Sequence, residues 1–309
     1  MGDLITMDDL SNKEIENLLD NAERLLPVAK GDVYLPLLEG KVLANMFFEN
    51  STRTRMSFET AMKRLGGSVL NFSTTGSSVS KGETLYDTMQ MIDGYADVAV
   101  IRHPRQGAAQ YSADAIEIPV LNAGDGAGNH PTQTLLDLFT IREAHGTLKG
   151  LNVVLVGDLR YGRTVHSLSH ALVRFGATLT LVSPESLMMP REIVSDLKNH
   201  GAEVTETSDF SATIGDADVI YMTRIQKERF PDEDEYAKVA GIYTLSAGDL
   251  SGAKKEMVIM HPLPRVEEIH PSVDSTHHAR YFRQAFNGVV ARMALLCDCL
   301  GVKVPKKVK

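Results

Sequence analysis

The amino-acid sequence predicts an α/β protein of two domains, each a parallel sheet flanked by helices. Apolar segments typical of buried strands alternate with helical patterns, first between residues 41 and 145 and again between residues 151 and 222. The 309 residues also exceed the roughly 100 to 200 of one ordinary domain. The expected boundaries are 1–132 for the first domain, 133–150 for a connecting helix, 151–279 for the second domain, and 280–309 for a C-terminal helix that packs back on the first domain.

The first domain is predicted to begin with a helix. Ser11 precedes apolar residues at helical spacing, and Glu14 follows three residues later, as in a capping box. The polar segment 73–82 is predicted to be an exposed, mobile loop. The remaining predicted elements are strands at 41–48, 69–72, 97–101 and 119–123, and helices from 52 to Gly66-Gly67 and at 84–94, 107–112 and 133–145.

The second domain repeats the alternation after the connecting helix. Short apolar segments rich in Val, Ile and Leu predict parallel strands, and the segments between them have helical spacing. The predicted strands are 151–156, 178–182, 203–205, 219–222 and 257–260, and the predicted helices are 164–175, 191–200 and the long C-terminal helix 280–300.

Charge and cysteine content narrow the class of protein. With 32 Lys and Arg against 40 Asp and Glu, the formal net charge is −8, so no overall basic field exists to hold a nucleic acid. Cys297 and Cys299 lie two apart on a predicted helix and cannot form a disulfide, a usage typical of a reducing compartment. The first 19 residues are acidic where a secretory signal is basic, and no apolar run is long enough to cross a bilayer. We therefore expect a cytoplasmic protein without a membrane role.

The string Ser51-Thr52-Arg53-Thr54-Arg55 lies where a strand ends and a helix begins. Free backbone N–H groups, three hydroxyls and Arg53 can converge there on one anion, with the helix dipole behind them. The alternative is a simple cap by Ser51 or Thr52, with the arginines paired to surface acids. Two arginines in the first turn favour the anion site, because the positive helix end repels them unless an anion compensates.

Three more polar residues of this domain are candidates. Arg102 stands at the carboxyl end of a buried strand, where open α/β sheets bind ligands. His130 follows a glycine-rich segment and precedes a helix, so it can point into the same crevice, although a His before Pro is more often a cap or a surface residue. Lys81, on the polar loop, is by itself most simply a solvated lysine.

The second domain offers two fixed guanidinium groups. One segment stands in the position of a dinucleotide fingerprint but lacks the middle glycine, and Leu159 would block a pyrophosphate, so we expect no nicotinamide cofactor. Arg163 at a helix start and Arg224 after a strand suit a bidentate grip on two carboxylates. An ion pair with Asp158 or Glu228 explains either arginine alone equally well.

The string His261-Pro262-Leu263-Pro264-Arg265 follows the last predicted strand. The prolines on either side of Leu263 fix the backbone and leave the carbonyl groups of Pro262 and Leu263 without helical partners. These carbonyls can accept hydrogen bonds from a ligand amide, although the same string is also an ordinary turn.

Together and in this order, these strings resemble the carbamoyltransferase family, and in detail its aspartate branch. S-T-R-T-R and H-P-x-Q mark the family as a whole, whereas M-T-R-x-Q-K-E-R and H-P-L-P-R are similar to the aspartate branch. The ornithine branch carries H-C-L-P and S-M-G strings, and neither is present. The resemblance covers essentially the whole chain and rests on FFENSTRTR at 47–55, SSVSKGE at 77–83, RHP at 102–104, HPTQ at 130–133, MTRIQKER at 222–229 and HPLPR at 261–265.

The resemblance implies two Rossmann-like domains that transfer the carbamoyl group of carbamoyl phosphate to the amine of L-aspartate, in pyrimidine biosynthesis. The residues implied to be catalytic are Arg53, Thr54, Arg102 and His130. Those implied to bind carbamoyl phosphate are the same four together with Ser51, Thr52, Gln133, Leu263, Pro264 and Ser77. Those implied to bind aspartate are Lys81, Arg163, Arg224 and Gln226.

The resemblance also implies an assembly. Ser77 and Lys81 resemble residues that one subunit lends to the site of its neighbour, so the active unit would be a homotrimer. No metal and no organic cofactor would be required, and a separate regulatory chain is a possible partner. Two alternatives exist: an acceptor such as ornithine, against which the two arginines argue, and a non-catalytic anion-binding module, which is expected to lack Arg102, His130 or Gln133.

Overall fold

The structure, a computed structural model, describes residues 2–74, 76–225 and 233–308, with backbone only at Glu233 and Glu235. The chain forms two compact units. The first unit comprises Met1–Phe139 and Ala285–Lys309, and the second comprises Thr140–Gln284. The α/β fold class with two parallel sheets is therefore confirmed.

The first unit is built on a sheet of four parallel strands in the order β2-β1-β3-β4. The inner strands are buried, whereas β2 at one edge is largely exposed. Apolar side chains of β1 and β3 pack against the helix that connects β2 to β3, in a core that includes Met46, Met89 and Ile101. The strands are β1 (Val42–Phe47), β2 (Ser68–Ser73), β3 (Val98–His103) and β4 (Val120–Asp125).

Helices flank this sheet, and the first of them starts as the sequence predicts. The Ser11 N–H donates to Glu14 Oε2 at 2.8 Å, and the Glu14 N–H donates to Ser11 Oγ at 3.3 Å, which completes the capping box. Gly31, with φ of 87°, ends the helix in the left-handed conformation that glycine adopts without cost. The helices are α1 (Asn12–Lys30), α2 (Thr52–Arg64), α3 (Leu85–Asp93), α4 (Ala108–Ala113) and α5 (Pro131–His145).

The second unit is built on a sheet of five parallel strands in the order β7-β6-β5-β8-β9. Its core joins Val156, Ile220 and Ile259 of the central strands to Tyr281. The strands are β5 (Asn152–Val156), β6 (Thr178–Val182), β7 (Val204–Thr207), β8 (Val219–Met222) and β9 (Val258–Met260), and the helices are α6 (Arg163–Val173), α7 (Arg191–Asn199) and α8 (Glu233–Ala237).

The last helix, α9 (Tyr281–Cys299), confirms the predicted return of the chain to the first domain. From Ala285 onward its residues belong to the first unit. There the Arg292 guanidinium lies 4.9 Å from the centre of the Phe58 ring on α2. Cys297 and Cys299 are buried free thiols, as their spacing on a helix predicts.

Predicted and observed elements differ mainly at their ends and in short helices. A 3-10 helix at Ser78–Lys81 lies within the segment 73–82, which the sequence predicts to be a loop. The helix α5 begins two residues before its predicted start. The short helix α8 and the 3-10 helices at Ala247–Gly252 and Pro271–Ser275 were not predicted, because too few residues carry a periodic pattern. In the part of the chain that the structure describes, no helix combines the length and the apolar character needed to cross a membrane.

Candidate active site

Each sheet has a point where successive strands are added on opposite sides, and the candidate residues follow the strands at that point. In the first unit the point lies between β1 and β3, whose last register pair is Phe47 and Arg102. In the second unit it lies between β5 and β8, whose last register pair is Val156 and Met222. Open α/β sheets bind ligands at the carboxyl ends of the strands at such a point. Each unit thus has one expected ligand position.

The start of α2 has the properties of an anion site. Ser51 is the N-cap residue, yet within the described residues its hydroxyl makes no capping hydrogen bond. Thr52 and Arg53 are exposed, whereas Thr54 is buried. Partial desolvation lowers the pKa of Arg53. A simple cap by Ser51 therefore does not explain this turn, and its N–H groups and dipole stay available to a negative ligand.

Asn45 fixes the position of this helix start relative to the sheet. Its Nδ2 donates to the Arg55 carbonyl oxygen at 3.2 Å and to Asn71 Oδ1 at 3.1 Å. Asn45 is fully buried on β1, so the first turn of α2 is attached to a rigid strand. An attachment of this kind keeps donor groups in place before a ligand arrives.

Arg102 reaches the same edge of the sheet from β3. Its Nη1 donates to the Ala123 carbonyl oxygen at 3.2 Å, and its Nη2 lies 3.1 Å from Glu49 Oε2. Its Nε is buried and has no hydrogen-bond partner in the described part of the chain. Burial lowers the pKa of Arg102, the Glu49 carboxylate opposes that shift, and the charge of Arg53 adds to it. Two cations that disfavour each other are stabilised by an anion placed between them.

His130 and Gln133 lie at the start of α5. His130 is buried, and its Nδ1 lies 3.4 Å from Thr132 Oγ1. Arg292 Nη2 donates to the same hydroxyl at 3.4 Å. Gln133 Nε2 donates to Asp137 Oδ1 at 3.0 Å. His130 is thus a buried residue that packing holds at the helix start and not the surface residue of the alternative interpretation.

Ser77 and Lys81 lie at the 3-10 helix of the first unit. The Ser77 hydroxyl donates to the Thr74 carbonyl oxygen at 3.0 Å. Lys81 ends the 3-10 helix, is exposed, and forms no ion pair within the described residues. Within the described residues, no acidic side chain therefore neutralises the Lys81 ammonium group.

In the second unit, Thr223 joins the ends of β5 and β8. Its hydroxyl donates to the Val156 carbonyl oxygen at 2.9 Å and accepts from the Asp158 N–H at 3.0 Å. Gly157 has φ of 114°, and a Cβ there would lie 2.7 Å from Thr223 Oγ1. A glycine is thus required at position 157 because Thr223 approaches so closely. Leu159, which the sequence predicts to obstruct a pyrophosphate, is fully buried.

Arg224 directly follows this junction and lines a concave pocket of the second unit. The pocket combines a cation with aromatic and acidic side chains, and its lining includes Thr223, Arg224, Tyr236, Tyr243, Glu267 and Glu268. Arg163 is the first residue of α6, where the sequence predicts a second guanidinium group. Asp158 is buried and accepts from the Tyr161 N–H at 2.9 Å. Gln226 and Glu228 lie outside the described residues.

The string 261–265 forms a shaped loop after β9. Leu263 has φ of 53°, a left-handed conformation that non-glycine residues rarely adopt. The His261 ring is buried, and its Nε2 lies 2.6 Å from Glu268 Oε1. Burial raises the pKa of Glu268, but hydrogen bonds from His261 and the Val266 N–H outweigh it, so this pKa lies below its ordinary value. An ordinary turn has no such buried support.

Sequence reasoning missed the residues that hold these groups in place. Asp125 organises the glycine-rich loop by accepting from the Gly107 and Asn129 N–H groups, both at 2.8 Å. Glu49 pairs with Arg102, and Glu268 with His261. Glu49 and Asp125 have one signal in the sequence, which is their position at or just after the carboxyl end of a buried strand, where functional side chains gather. Glu268 has no comparable signal.

The two domains of one known enzyme family match the chain in order. Residues 2–143 match the carbamoyl-phosphate-binding domain of aspartate/ornithine carbamoyltransferases, and residues 149–299 match the aspartate/ornithine-binding domain. These matches cover nearly the whole sequence. The chain belongs to the aspartate/ornithine carbamoyltransferase family.

Its relatives are named for one branch of that family. The aspartate carbamoyltransferase catalytic subunit of Methanothrix thermoacetophila is 58% identical over 295 residues, which cover 95% of this chain and 96% of the relative. That of Archaeoglobus fulgidus is 54% identical over 301 residues, which cover 97% of this chain and 99% of the relative. The resemblance to the aspartate branch is confirmed.

Solved structures agree with the fold. The catalytic subunit of M. jannaschii aspartate transcarbamoylase superposes with a TM-score of 0.92 at 48% identity and covers 97% of this chain and 98% of its own. Aspartate transcarbamoylase from Trypanosoma cruzi, in complex with carbamoyl phosphate and aspartate, gives a TM-score of 0.91 at 40% identity, over 96% of this chain and 95% of its own.

Proposed function

We propose that this chain catalyses the transfer of the carbamoyl group from carbamoyl phosphate to the amine of L-aspartate, in pyrimidine biosynthesis. The products are N-carbamoyl-L-aspartate and phosphate. The observation that carries the proposal is the pair of cationic sites at the two strand-order switch points, one beside Arg53 and Arg102 and one beside Arg224. The names of the relatives support the aspartate branch.

In the first unit, the helix start binds the phosphate of carbamoyl phosphate. Ser51, Thr52, Arg53 and Thr54 supply hydroxyls, backbone N–H groups and one charge, and the helix dipole adds to the attraction. The free Nε of Arg102 is a further donor that burial keeps away from water. Gln133, at the start of α5 in the same unit, accepts a hydrogen bond from the carbamoyl NH2 group.

The reaction needs positioning and charge stabilisation. The aspartate amine, in its neutral form, attacks the carbamoyl carbon, and a C–N bond forms while the carbonyl oxygen gains negative charge. Donors from Thr54, Arg102 and His130 stabilise that oxygen, each worth about 2.7 to 4 kcal/mol where such donors have been removed. When the intermediate collapses, the C–O bond to phosphate breaks, and the departing phosphate takes the proton of the amine.

Arg163, Arg224 and Gln226 bind the two carboxylates of aspartate in the second unit. Arg224 lines a pocket whose rigid base is the junction made by Thr223. Guanidinium groups match carboxylates with paired hydrogen bonds. Ornithine, whose side chain is a cation, is repelled where a second carboxylate is attracted.

The active assembly is a homotrimer with shared sites. Lys81 is exposed and free of ion pairs within the described residues, as expected of a lysine lent to a neighbouring subunit, and Ser77 lies beside it. The relatives are named as catalytic subunits, which supports a possible regulatory chain as partner. Buried free thiols at Cys297 and Cys299 agree with a reducing, cytoplasmic setting.

Phosphate release tests the proposal directly. The purified chain is mixed with carbamoyl phosphate and L-aspartate, and both phosphate and the mass of the carbamoylated product are measured. Aspartate-dependent release with formation of N-carbamoyl-L-aspartate supports the proposal. Release that does not depend on aspartate contradicts it.

A further inference from the structure

The C-terminal helix α9 carries a charged side chain into the core of the first unit. Arg292 is buried, and within the described residues its Nε has no hydrogen-bond partner. Its guanidinium packs over the Phe58 ring of α2. Gly288, one turn earlier on α9, leaves the space for this group, because a Cβ there would lie 2.5 Å from Arg292 Nη1. Since arginine is seldom buried unless its charge is compensated, the partners of Arg292 indicate its role.

Asp137 on α5 compensates the charge of Arg292. Burial lowers the pKa of Arg292 to about 9, and the Asp137 carboxylate opposes that shift, so the guanidinium stays protonated at neutral pH. Asp137 is itself fully buried. A guanidinium can only donate hydrogen bonds, whereas an ionised carboxylate can only accept them. The first unit thus places one group of each kind at the first turns of α5.

Arg292 reaches His130 through the hydroxyl of Thr132. Arg292 Nη2 donates to Thr132 Oγ1 at 3.4 Å, and the same oxygen lies 3.4 Å from His130 Nδ1. Because the hydroxyl oxygen accepts from the guanidinium, its own hydrogen is left to donate to Nδ1. An Nδ1 atom that accepts is unprotonated, so the proton of the neutral ring lies on Nε2. The relay therefore favours the tautomer in which Nε2 is a hydrogen-bond donor.

Asp137 acts on Gln133 by the same reasoning. Gln133 Nε2 donates to Asp137 Oδ1 at 3.0 Å. The amide of glutamine has a donor side and an acceptor side, and either side can face a neighbour that both donates and accepts. A carboxylate tolerates only the NH2 side, so the Oε1 atom of Gln133 is left to accept from another group.

We propose that Arg292 and Asp137 are positioning residues that fix His130 as a hydrogen-bond donor and Gln133 as an acceptor. The inference rests on the proposed function, in which the carbonyl oxygen of the carbamoyl group needs a donor and its NH2 group needs an acceptor. Both residues are buried, so they act through Thr132 and Gln133 and not by contact with the substrate. The imidazole and the amide are each ambiguous alone, and the pair of opposite charges orients them before the substrate binds.

A purely structural role predicts different behaviour. Removal of one partner of a buried ion pair is strongly destabilising, whereas replacement of both by neutral groups of similar volume is often neutral or stabilising. The double variant of Arg292→Met with Asp137→Asn removes both charges and is therefore expected to fold. Arg191→Met, at an exposed position at the start of α7, is the matched control.

NMR of the full chain labelled with 15N-histidine measures the tautomer of His130. The 15N shifts separate a protonated ring nitrogen from an unprotonated one, and the signal of His130 is assigned by its loss in His130→Asn. We expect the proton on Nε2 in the wild type and a partial or complete shift to Nδ1 in the double variant. The wild-type spectrum is decisive even if a variant does not fold, and it needs no substrate.

Rates and affinities measure the consequence for the reaction. The double variant should lower kcat about 100-fold, the effect of losing one oxyanion donor, while its urea midpoint stays at or above that of the control. Asp137→Asn should weaken the binding of carbamoyl phosphate about tenfold, the effect of one hydrogen bond. The Kd of acetyl phosphate, which has a methyl group in place of NH2, should change by less than about twofold, on the scale of surface substitutions.

Two results overturn the inference. A wild-type His130 with its proton on Nδ1 would contradict the relay. A double variant that keeps both its kcat and its preference for carbamoyl phosphate over acetyl phosphate would reduce the buried pair to a structural role. A wild-type chain that shows the expected tautomer but does not carbamoylate aspartate would refute the proposed function and not the relay.

Discussion

Arg102 and Glu49 form an ion pair at the carboxyl edge of the first sheet, with Nη2 and Oε2 3.1 Å apart. The Arg102 side chain is nearly buried, whereas Glu49 is more exposed. The acid thus compensates a cation that burial would otherwise destabilise, while the Nε of the same guanidinium stays free of partners within the described residues. A substrate anion that binds Arg102 meets a donor that is already oriented.

We expect Arg102→Lys to lower kcat by about 100-fold or more while the protein stays folded. Lysine keeps the positive charge but has no second, planar donor, so it cannot hold the Ala123 carbonyl and a ligand together. A loss of kcat of this size is the one expected when a single hydrogen-bond donor to the developing oxyanion is removed. Initial rates at saturating substrate concentrations measure kcat, and circular dichroism checks that the variant is folded. An unchanged kcat would show that Arg102 takes no part in the reaction.

Arg224→Ala should raise the KM of aspartate by at least about tenfold, as expected when a buried carboxylate loses its paired partner. The Kd of carbamoyl phosphate should stay near its wild-type value, because Arg224 lies in the pocket of the second unit. Arg191→Ala, an exposed arginine at the start of α7, is the control. A similar loss of both substrates in Arg224→Ala would refute this division of roles.

Shared sites predict complementation between two inactive chains. Lys81→Ala removes the residue that we propose one chain lends to its neighbour, and Arg53→Ala removes a residue that we propose for the chain's own site. In a mixed trimer, some sites receive an intact Lys81 from one chain and an intact Arg53 from the other. Activity should reappear when the two variants are mixed under conditions that exchange subunits, and its absence in trimers verified to be mixed would contradict sharing.

The pair of Asp218 and Lys254 predicts a pH dependence of stability. Asp218 accepts from the Asn152 N–H at 2.8 Å and from Lys254 Nζ at 2.7 Å. Burial raises the pKa of Asp218, but these partners outweigh burial and lower it below the ordinary value. A lowered pKa in the folded state means that the carboxylate stabilises the fold at neutral pH and that this contribution is lost as the pH falls through the folded pKa.

Asp218→Asn should therefore cost about 1 kcal/mol of unfolding free energy at pH 7, the scale of one hydrogen bond. The difference from the wild type should shrink as the pH is lowered below the ordinary pKa of aspartate. Urea denaturation at several pH values measures it, and Asp114→Asn, an exposed position, is the control. A constant difference at all pH values would show that the charge of Asp218 is not the cause.

The order of elements and the positions of the chemical groups were predictable because they depend on local patterns. Ser11 and Glu14 are three residues apart in the sequence, and the strand before Ser51 is visible as an apolar run. The polar residues at the start of α2 can be read directly from the sequence. Strand order was not predicted, since alternation indicates parallel strands but does not say which pairs are adjacent.

The supporting residues could not be predicted for the same reason. Glu268 matters because its carboxylate lies 2.6 Å from His261 Nε2, and that distance exists only after the loop has formed. Thr223 matters because it fills the space that Gly157 leaves open, although the two residues are 66 positions apart in the sequence. Contacts between distant segments exist only in the folded chain, whereas the candidate ligand-binding motifs are visible in the sequence itself.

The most direct test of the central claim compares acceptors. Phosphate release from carbamoyl phosphate is measured in parallel with L-aspartate, with L-ornithine and with no acceptor, and the products are identified by mass. We predict release with L-aspartate alone, with N-carbamoyl-L-aspartate as the product. Release with L-ornithine but not with L-aspartate would contradict the role given to Arg163 and Arg224 and the function proposed for the chain.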